Sequence, residues 1–334
     1  MKSAVGYVEL AESVSGPIPK PVRFSYVWGD ALAEFERFAP DVRIVNLETS
    51  VTTSQDWTPK GINYRMHPAN IACLTAAGID CCVLANNHVL DWGGPGLLET
   101  LETLRRVNLK SAGAGQNLTE AQAPANLPVA GQARVLVFAF GTTTSGIPRS
   151  WAATDRKPGV NLLTDLSETT VSRIAGHVHA VKGPPDVVVA SIHWGSNWGY
   201  RVPAEHRFFA HRLVDEASVD LVHGHSSHHP LGIEVYRNKP IFYGCGDFLN
   251  DYEGIGGQEE FRSHLMLMYF VTMDPSTRNL LRLEMRPLHV KRFRLHRASR
   301  QDALWLRDTM HREGRDLGTE VNLEADGTLR LGWR

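Results

Sequence analysis

Surplus charge of either sign is missing from this sequence. Across 334 residues, 35 Lys and Arg stand against 36 Asp and Glu, a formal net charge of -1. A chain so balanced has no general electrostatic attraction to nucleic acid or to an anionic membrane surface, so partners held by bulk charge are not expected. Cysteine is scarce as well. Cys73, Cys81, Cys82 and Cys245 form no C-x-x-C pair, and the vicinal Cys81-Cys82 does not readily close on itself. Reduced core thiols of a cytoplasmic protein are the expectation. No apolar run approaches the roughly 20 residues needed to span a bilayer. The opening MKSAVGYVELAESVSG lacks the apolar h-region of a secretory signal, so the chain as given reads as soluble and unanchored. Internal repeats and low-complexity tracts are also missing.

What is present in excess is histidine. The chain has 15, and the stretch from His193 to His229 holds His193, His206, His211, His223, His225, His228 and His229. A solvated surface does not account for that density, whereas a metal site does. With hydrophobic residues at 43%, a sizeable core can form. Short apolar β-branched runs alternate with amphipathic stretches, the pattern of βαβ units around a mostly parallel sheet. The runs are 42–48, 80–88, 134–141, 186–195, 219–225 and 240–248. Helices are predicted over 94–107, with Leu97, Leu101 and Leu104 on one face, and over 203–217, where Phe209 aligns with Leu213 and Phe208 lies nearby. After Tyr252 the pattern changes to a hairpin of longer antiparallel strands around DPSTRN. A Ser-capped helix from ASRQDALWLRDTMHREG and a short strand in GTLRLGWR follow. The expected division is a main domain over 1–295 and a structural flank over 296–334.

Polar residues collect where these strands end. The first run ends in Asn46-Leu47-Glu48, the second in Asn86-Asn87-His88, the fourth at His193, the fifth at His223-Gly224-His225-Ser226-Ser227-His228 and the sixth at Asp247. In open α/β sheets ligands bind beyond the carboxyl ends of the strands. Imidazoles with one or two carboxylates and an amide suit Zn, Mn or Fe, and suit Ca poorly. Taken singly, each residue has a plainer reading. Glu48 can be a loop charge, His193 a hydrogen-bonded core histidine and Asp91 a turn partner before Gly93-Gly94. His206 and His211 fit a helix face, and His67 and His229 sit beside prolines. Taken jointly, Glu48, Asn87, His88, His193, His225 and His228 favour metal. Arg65 and Arg201 offer planar forks for an anionic substrate group, with surface ion pairing as the alternative, and Asp247 is a further candidate substrate contact.

The segments VNLETSV, NYRMHP, LANNHVLDWGGPGLLETLETL, SIHWGSNW and VHGHSSHHPLGIEVYRNKPIFYGCGDFLND resemble, in order from Val42 to Asp251, the CapA (poly-γ-glutamate capsule biosynthesis) family. That family is similar to the calcineurin-like phosphoesterases. The resemblance implies a metallophosphatase-like α/β fold, a two-sheet sandwich flanked by helices (α/β/β/α). It implies that Glu48 and Asn87 bind metal, Glu48 bridging, and that His193, His225 and His228 complete a shell of up to two divalent ions. His88 would face substrate with Asp91 orienting its ring, and His223, one residue off the expected strand face, is a reserve ligand. Two ions about 3.5–4 Å apart polarise a phosphoryl or acyl oxygen and activate water, while His88 protonates the leaving group. Family members begin with a strand ending in Gly-Asp. No such strand precedes Gly16 here, and Gly29-Asp30 reads as a helix start with Asp30 as N-cap. The fold is therefore expected to lack its first strand. The natural reading frame is expected to extend upstream of Met1, a naturally reduced site being the alternative. Two functions follow. One is a metal-dependent hydrolase of a phosphoester or amide-type bond in an anionic, glutamyl substrate. The other is a non-catalytic capsule-assembly protein that binds a poly-γ-glutamate-like polymer.

Overall fold

A computed structural model describes residues 4–130 and 133–334. The apolar run 134–141 forms a strand over its whole length, Arg134–Gly141, and anchors a six-stranded sheet. The spatial order is Ile233–Tyr236, Lys239–Phe242, Leu221–His225, Val187–His193, Arg134–Gly141, Ala125–Pro128. The inner pairs are parallel and the two edge pairs antiparallel. A second sheet is short and wholly parallel: Ile44–Asn46, Cys81–Val83 and Lys110–Ala112.

These sheets meet face to face. Cys81, Val83, Ala85 and Ala112 from the small sheet share one core with Ala125, Leu127, Val137, Ala139 and Val189 from the large one. Side chains alternate along a strand, so the neighbours of these residues point outward and must find other cover. On the large sheet, Phe138, Val188, Ile192 and Val222 pack under helices Glu168–Val181 and Ala204–Glu216. On the small sheet, Cys82 and Leu84 pack with Leu97, Leu101 and Leu104 of helix Gly93–Arg106. The result is a helix–sheet–sheet–helix stack. Within the helix Ala204–Glu216 the neighbouring phenylalanines differ: Phe209 is fully buried, while Phe208 is 45% exposed. Phe209→Ala is expected to cost about 3–5 kcal/mol and Phe208→Ala no more than about 0.5 kcal/mol in urea denaturation. Equal costs would contradict this orientation.

A third, antiparallel sheet holds the hairpin Leu265–Met273 and Leu280–Lys291, extended by Leu329–Trp333 and Thr319–Leu323. Asp274 closes the hairpin turn by accepting from the Ser276 and Thr277 amides. Helix Arg300–Gly314 starts at a Ser299 cap, whose hydroxyl accepts from the Asp302 amide. Leu306 and Met310 of this helix share a core with Leu283 and Met285 of the hairpin and with Ile233 and Phe242. The 296–334 segment thus completes a sheet begun by the residues before it.

Several predicted strands are shorter than their apolar runs. The run 42–48 is a strand only at Ile44–Asn46, 80–88 only at Cys81–Val83, and 240–248 only at Lys239–Phe242. In the first two, the Asn86 side chain takes over from the ladder, as described below. In the third, Gly244 and Gly246 bring the chain hard against Leu231 and the His229–Pro230 backbone, and Gly246 has φ +73°. Asp30 does occupy the N-cap position of helix Ala31–Phe38, but it makes no cap hydrogen bond; its Oδ2 accepts from the Arg297 amide at 2.9 Å. All four cysteines are free thiols, and burial pushes Cys81 up to about 12. Among the described residues no helix is long and apolar enough to cross a membrane.

Candidate active site

The parallel strands of both sheets end at one edge, and the chain leaves several of them there with polar residues. His193 closes Val187–His193 and His225 closes Leu221–His225, in direct register across the sheet. Glu48 follows Ile44–Asn46, and Asn86-Asn87-His88 follows Cys81–Val83.

Asn86, fully buried, ties the small sheet's two exits together. Its Nδ2 donates to Asn46 Oδ1 and to the Leu47 carbonyl, each at 2.9 Å. Its Oδ1 accepts from the His88 and Val89 amides at 3.1 and 3.0 Å. Three of those four bonds satisfy backbone groups that a longer strand would have paired, and they fix where Asn87 and His88 stand. Asn46 in turn donates to Glu48 Oε2 at 2.7 Å. The other oxygen, Oε1, is 3.7 Å from His193 Nε2. Burial, with the Asp247 charge adding to it, pushes the Glu48 carboxyl up to about 7 against the opposing His228, Asn46 and Lys60.

His193 is wholly buried, and its carbonyl accepts from the Thr142 and Ser145 hydroxyls at 3.1 and 3.0 Å. Its Nδ1 is 2.7 Å from His225 Nδ1, and His225 Nε2 is 2.9 Å from Ser191 Oγ, which also contacts His223 Nδ1 at 2.9 Å. His223 is thus on the same face as His225, contrary to the expectation that it is off the face, because residues two apart share a strand face. Burial lowers all three imidazoles, His193 to about 3 and His223 to about 4, so they are neutral near pH 7. Neutral imidazole is the form that binds metal.

His88 Nδ1 lies 2.7 Å from Asp91 Oδ2, which also accepts from the Tyr64 amide at 2.6 Å, and the Tyr64 ring is 4.5 Å away. With Nδ1 committed to Asp91, Nε2 is the nitrogen left for chemistry. Burial holds His88 below its usual range even though Asp91 raises it. His228 Nδ1 is 3.0 Å from Asp247 Oδ1, and its Nε2 is 3.2 Å from the Tyr252 hydroxyl. Burial would lower His228, but the Asp247 bond and charge, with Glu48, outweigh it and raise the group.

The structure therefore gathers Glu48, Asn87, His88, Asp91, His193, His225, His228 and Asp247 at one edge. Asp247, expected as a substrate contact, gives one oxygen to His228 and the other to Asn250, so it also orients an imidazole. Arg65 is exposed; its guanidinium lies 4.0 Å from the Trp92 ring centre and donates to the Ser54 carbonyl. Arg201 is exposed, with no ion pair or hydrogen bond among the described residues, on the loop whose Trp198 ring lies 5.3 Å from that of His228. His206 and His211 are packing residues, stacked flat on Trp194 and Tyr236. Lys60, Ser191, Tyr64 and Tyr252 were not singled out from the sequence, and Asn86 was noted only as a strand-end residue. The doubled asparagine of Asn86-Asn87 was the one available signal, since a buried amide there must knit backbone.

Among the described residues, no three His, Cys, Asp or Glu side chains stand close enough to hold a metal as they now point. The donor types fit one nonetheless. Asn87 Oδ1 and His193 Nε2 are both buried without a hydrogen-bond partner, and orphaned buried polar atoms call for an occupant. Glu48 Oε1 faces the second of them.

The model of the family described as bacterial capsule synthesis protein PGA_cap matches residues 3–252. The chain is 48% identical over 333 residues to a probable polyglutamine synthesis accessory protein of Mycobacterium tuberculosis, covering 99% of this chain and 87% of that protein. It is 28% identical over 192 residues to the capsule biosynthesis protein CapA of Bacillus anthracis, covering 58% of this chain and 45% of that one. Against the PGA biosynthesis protein CapA of Bacillus subtilis it is 29% identical over 215 residues, 64% of this chain and 54% of the other. With three quarters of its length matched and this edge of histidines inside the match, the chain belongs to the bacterial capsule synthesis PGA_cap family, the family of CapA.

Proposed function

We propose that the chain is a metal-dependent hydrolase of the CapA type, built on a metallophosphatase-like two-sheet sandwich. It acts on a phosphoester or amide-type bond of an anionic, glutamyl substrate. The observation that carries this reading is the pairing of two things at one edge. The oriented His88–Asp91 pair stands beside buried donor atoms, Asn87 Oδ1 and His193 Nε2, that have no partner of their own. Glu48, Asn87, His193, His225 and His228 would hold Zn, Mn or Fe, in one or two ions. A bound cation would supply Lewis-acid polarisation of the scissile oxygen and a more acidic water.

The chain's own groups supply the rest. Asp91 keeps the His88 proton on Nδ1 and leaves Nε2 to exchange a proton with the reacting groups. Asp247 holds the His228 ring in the same manner. Trp198 and Arg201 line one approach, where an aromatic ring and a free guanidinium suit an anionic chain. The layering of helices outside two facing sheets supports the metallophosphatase-like assignment. The word accessory in the mycobacterial relative's name favours a second reading, a polymer-binding protein without turnover. The two separate on hydrolysis of a generic phosphodiester and of a γ-glutamyl amide. The hydrolase reading expects turnover of one of them that a chelator abolishes and added Mn or Zn restores. Binding of poly-γ-glutamate with no turnover under any added metal supports the second reading.

A further inference from the structure

Between the strands Ser50–Val51 and Arg65–Met66 runs a loop whose stretch from Gln55 to Ile62 is exposed throughout. Within that stretch one side chain turns inward. Lys60, with 24% of its side chain exposed, lies 2.7 Å from Asp91 Oδ1. The same ammonium donates to the Asn87 main-chain carbonyl and stands 3.5 Å from His88 Nδ1. Its far side lies 5.0 Å from the Trp151 ring centre, a cation–π distance.

The Asp91 carboxylate divides its work. Oδ2 takes the Tyr64 amide and His88 Nδ1, and Oδ1 is left to Lys60 as an ion pair without an aligned hydrogen bond. Asp91 is 1% exposed with Lys60 in place, so its carboxylate meets the ammonium away from bulk solvent. One charge therefore fixes three consecutive parts of the site: the carbonyl of Asn87, the neighbourhood of the His88 ring and the carboxylate that orients that ring. It also reaches further, since its charge bears on both Glu48 and His193.

We propose that Lys60 is a positioning residue: its ammonium latches the 55–62 stretch against the site and holds Asn87 and Asp91, and through them His88, in place. The latch itself needs no metal; its consequence for metal affinity rests on the function proposed above. The test uses Lys60→Ala, and Lys60→Cys before and after alkylation with 2-bromoethylamine, in which the thiolate displaces bromide and returns an ammonium at nearly the same reach. Wild-type protein treated with the same reagent controls for Cys73 and Cys245, which are half-buried.

The first readout is the initial rate of chymotryptic cleavage after Trp57, followed by mass spectrometry on metal-free protein. Cleavage is expected to be about tenfold faster in Lys60→Ala and in unmodified Lys60→Cys, and to return to the wild-type rate after aminoethylation. A side chain that merely filled space would not be rescued by the ammonium. The second readout is titration with Mn²⁺ alone, for which Lys60→Ala is expected to bind roughly 10–100-fold more weakly, the usual cost of losing a group that supports a ligand. Unchanged cleavage in Lys60→Ala, or faster cleavage that aminoethylation fails to reverse, overturns the proposal. If wild-type protein binds no Mn²⁺, the metal reading fails while the cleavage experiment still decides the role of Lys60.

Discussion

Replacing His193 and His225 together with alanine is expected to strip the protein of metal, with the bound fraction falling at least about tenfold. The two residues end adjacent strands in register, and burial keeps both imidazoles neutral at working pH. A neutral, buried imidazole whose Nε2 has no hydrogen-bond partner is stabilised by an occupant that meets that nitrogen, and a cation does so. His225 spends its nitrogens on His193 and Ser191, and metal binding has to draw on that chain of contacts. Since both side chains are buried, the double replacement leaves cavities, and its thermal unfolding must be compared with the wild type. Glu48→Gln provides the conservative companion: same shape, same bond from Asn46, no carboxylate. It is expected to weaken metal binding without altering the melting temperature. A double variant with full metal content would show that these histidines are core residues bridged to each other.

His88→Asn is expected to lower hydrolytic turnover by about 10²–10⁴-fold while leaving metal content nearly unchanged. His88 neighbours Asn87 in sequence, its Nδ1 is committed to Asp91, and on the function proposed above its Nε2 faces substrate. Asparagine is smaller and does not titrate, but its amide can still donate to Asp91, so the local backbone should survive. The measurement pairs turnover of a phosphodiester or γ-glutamyl probe with elemental analysis of the same preparation. Metal and activity lost in equal measure would move His88 into the metal's own shell.

How much of this was legible in the sequence depended on whether a residue's role was set locally. The strands 134–141 and 187–193 were readable nearly to the residue, because long apolar runs buried on both faces have few other options. The hairpin at 265–291 and the Ser299 cap were readable for the same reason: turn and cap chemistry are local. The small sheet was over-read, since its strands stop where the Asn86 side chain replaces ladder bonds, a substitution that needs both strands side by side. Clustering at strand ends exposed most of the site, and strict alternation would also have put His223 beside His225. The packing of Arg65 on Trp92 was not legible, because the two are 27 positions apart in the chain (92 minus 65). Lys60 was invisible, since nothing periodic marks 55–62 and its three contacts come entirely from the folded path of the loop.

The central claim is that this edge of imidazoles, amide and carboxylate is a metal site. Elemental analysis of protein purified without chelator, repeated after dialysis against Zn, Mn or Fe, tests it most directly. The account predicts at least about one ion per chain, retained through gel filtration, lost from the His193 and His225 double variant and reduced in Glu48→Gln. Wild-type protein that holds less than about one tenth of an ion per chain after each of those dialyses would contradict it.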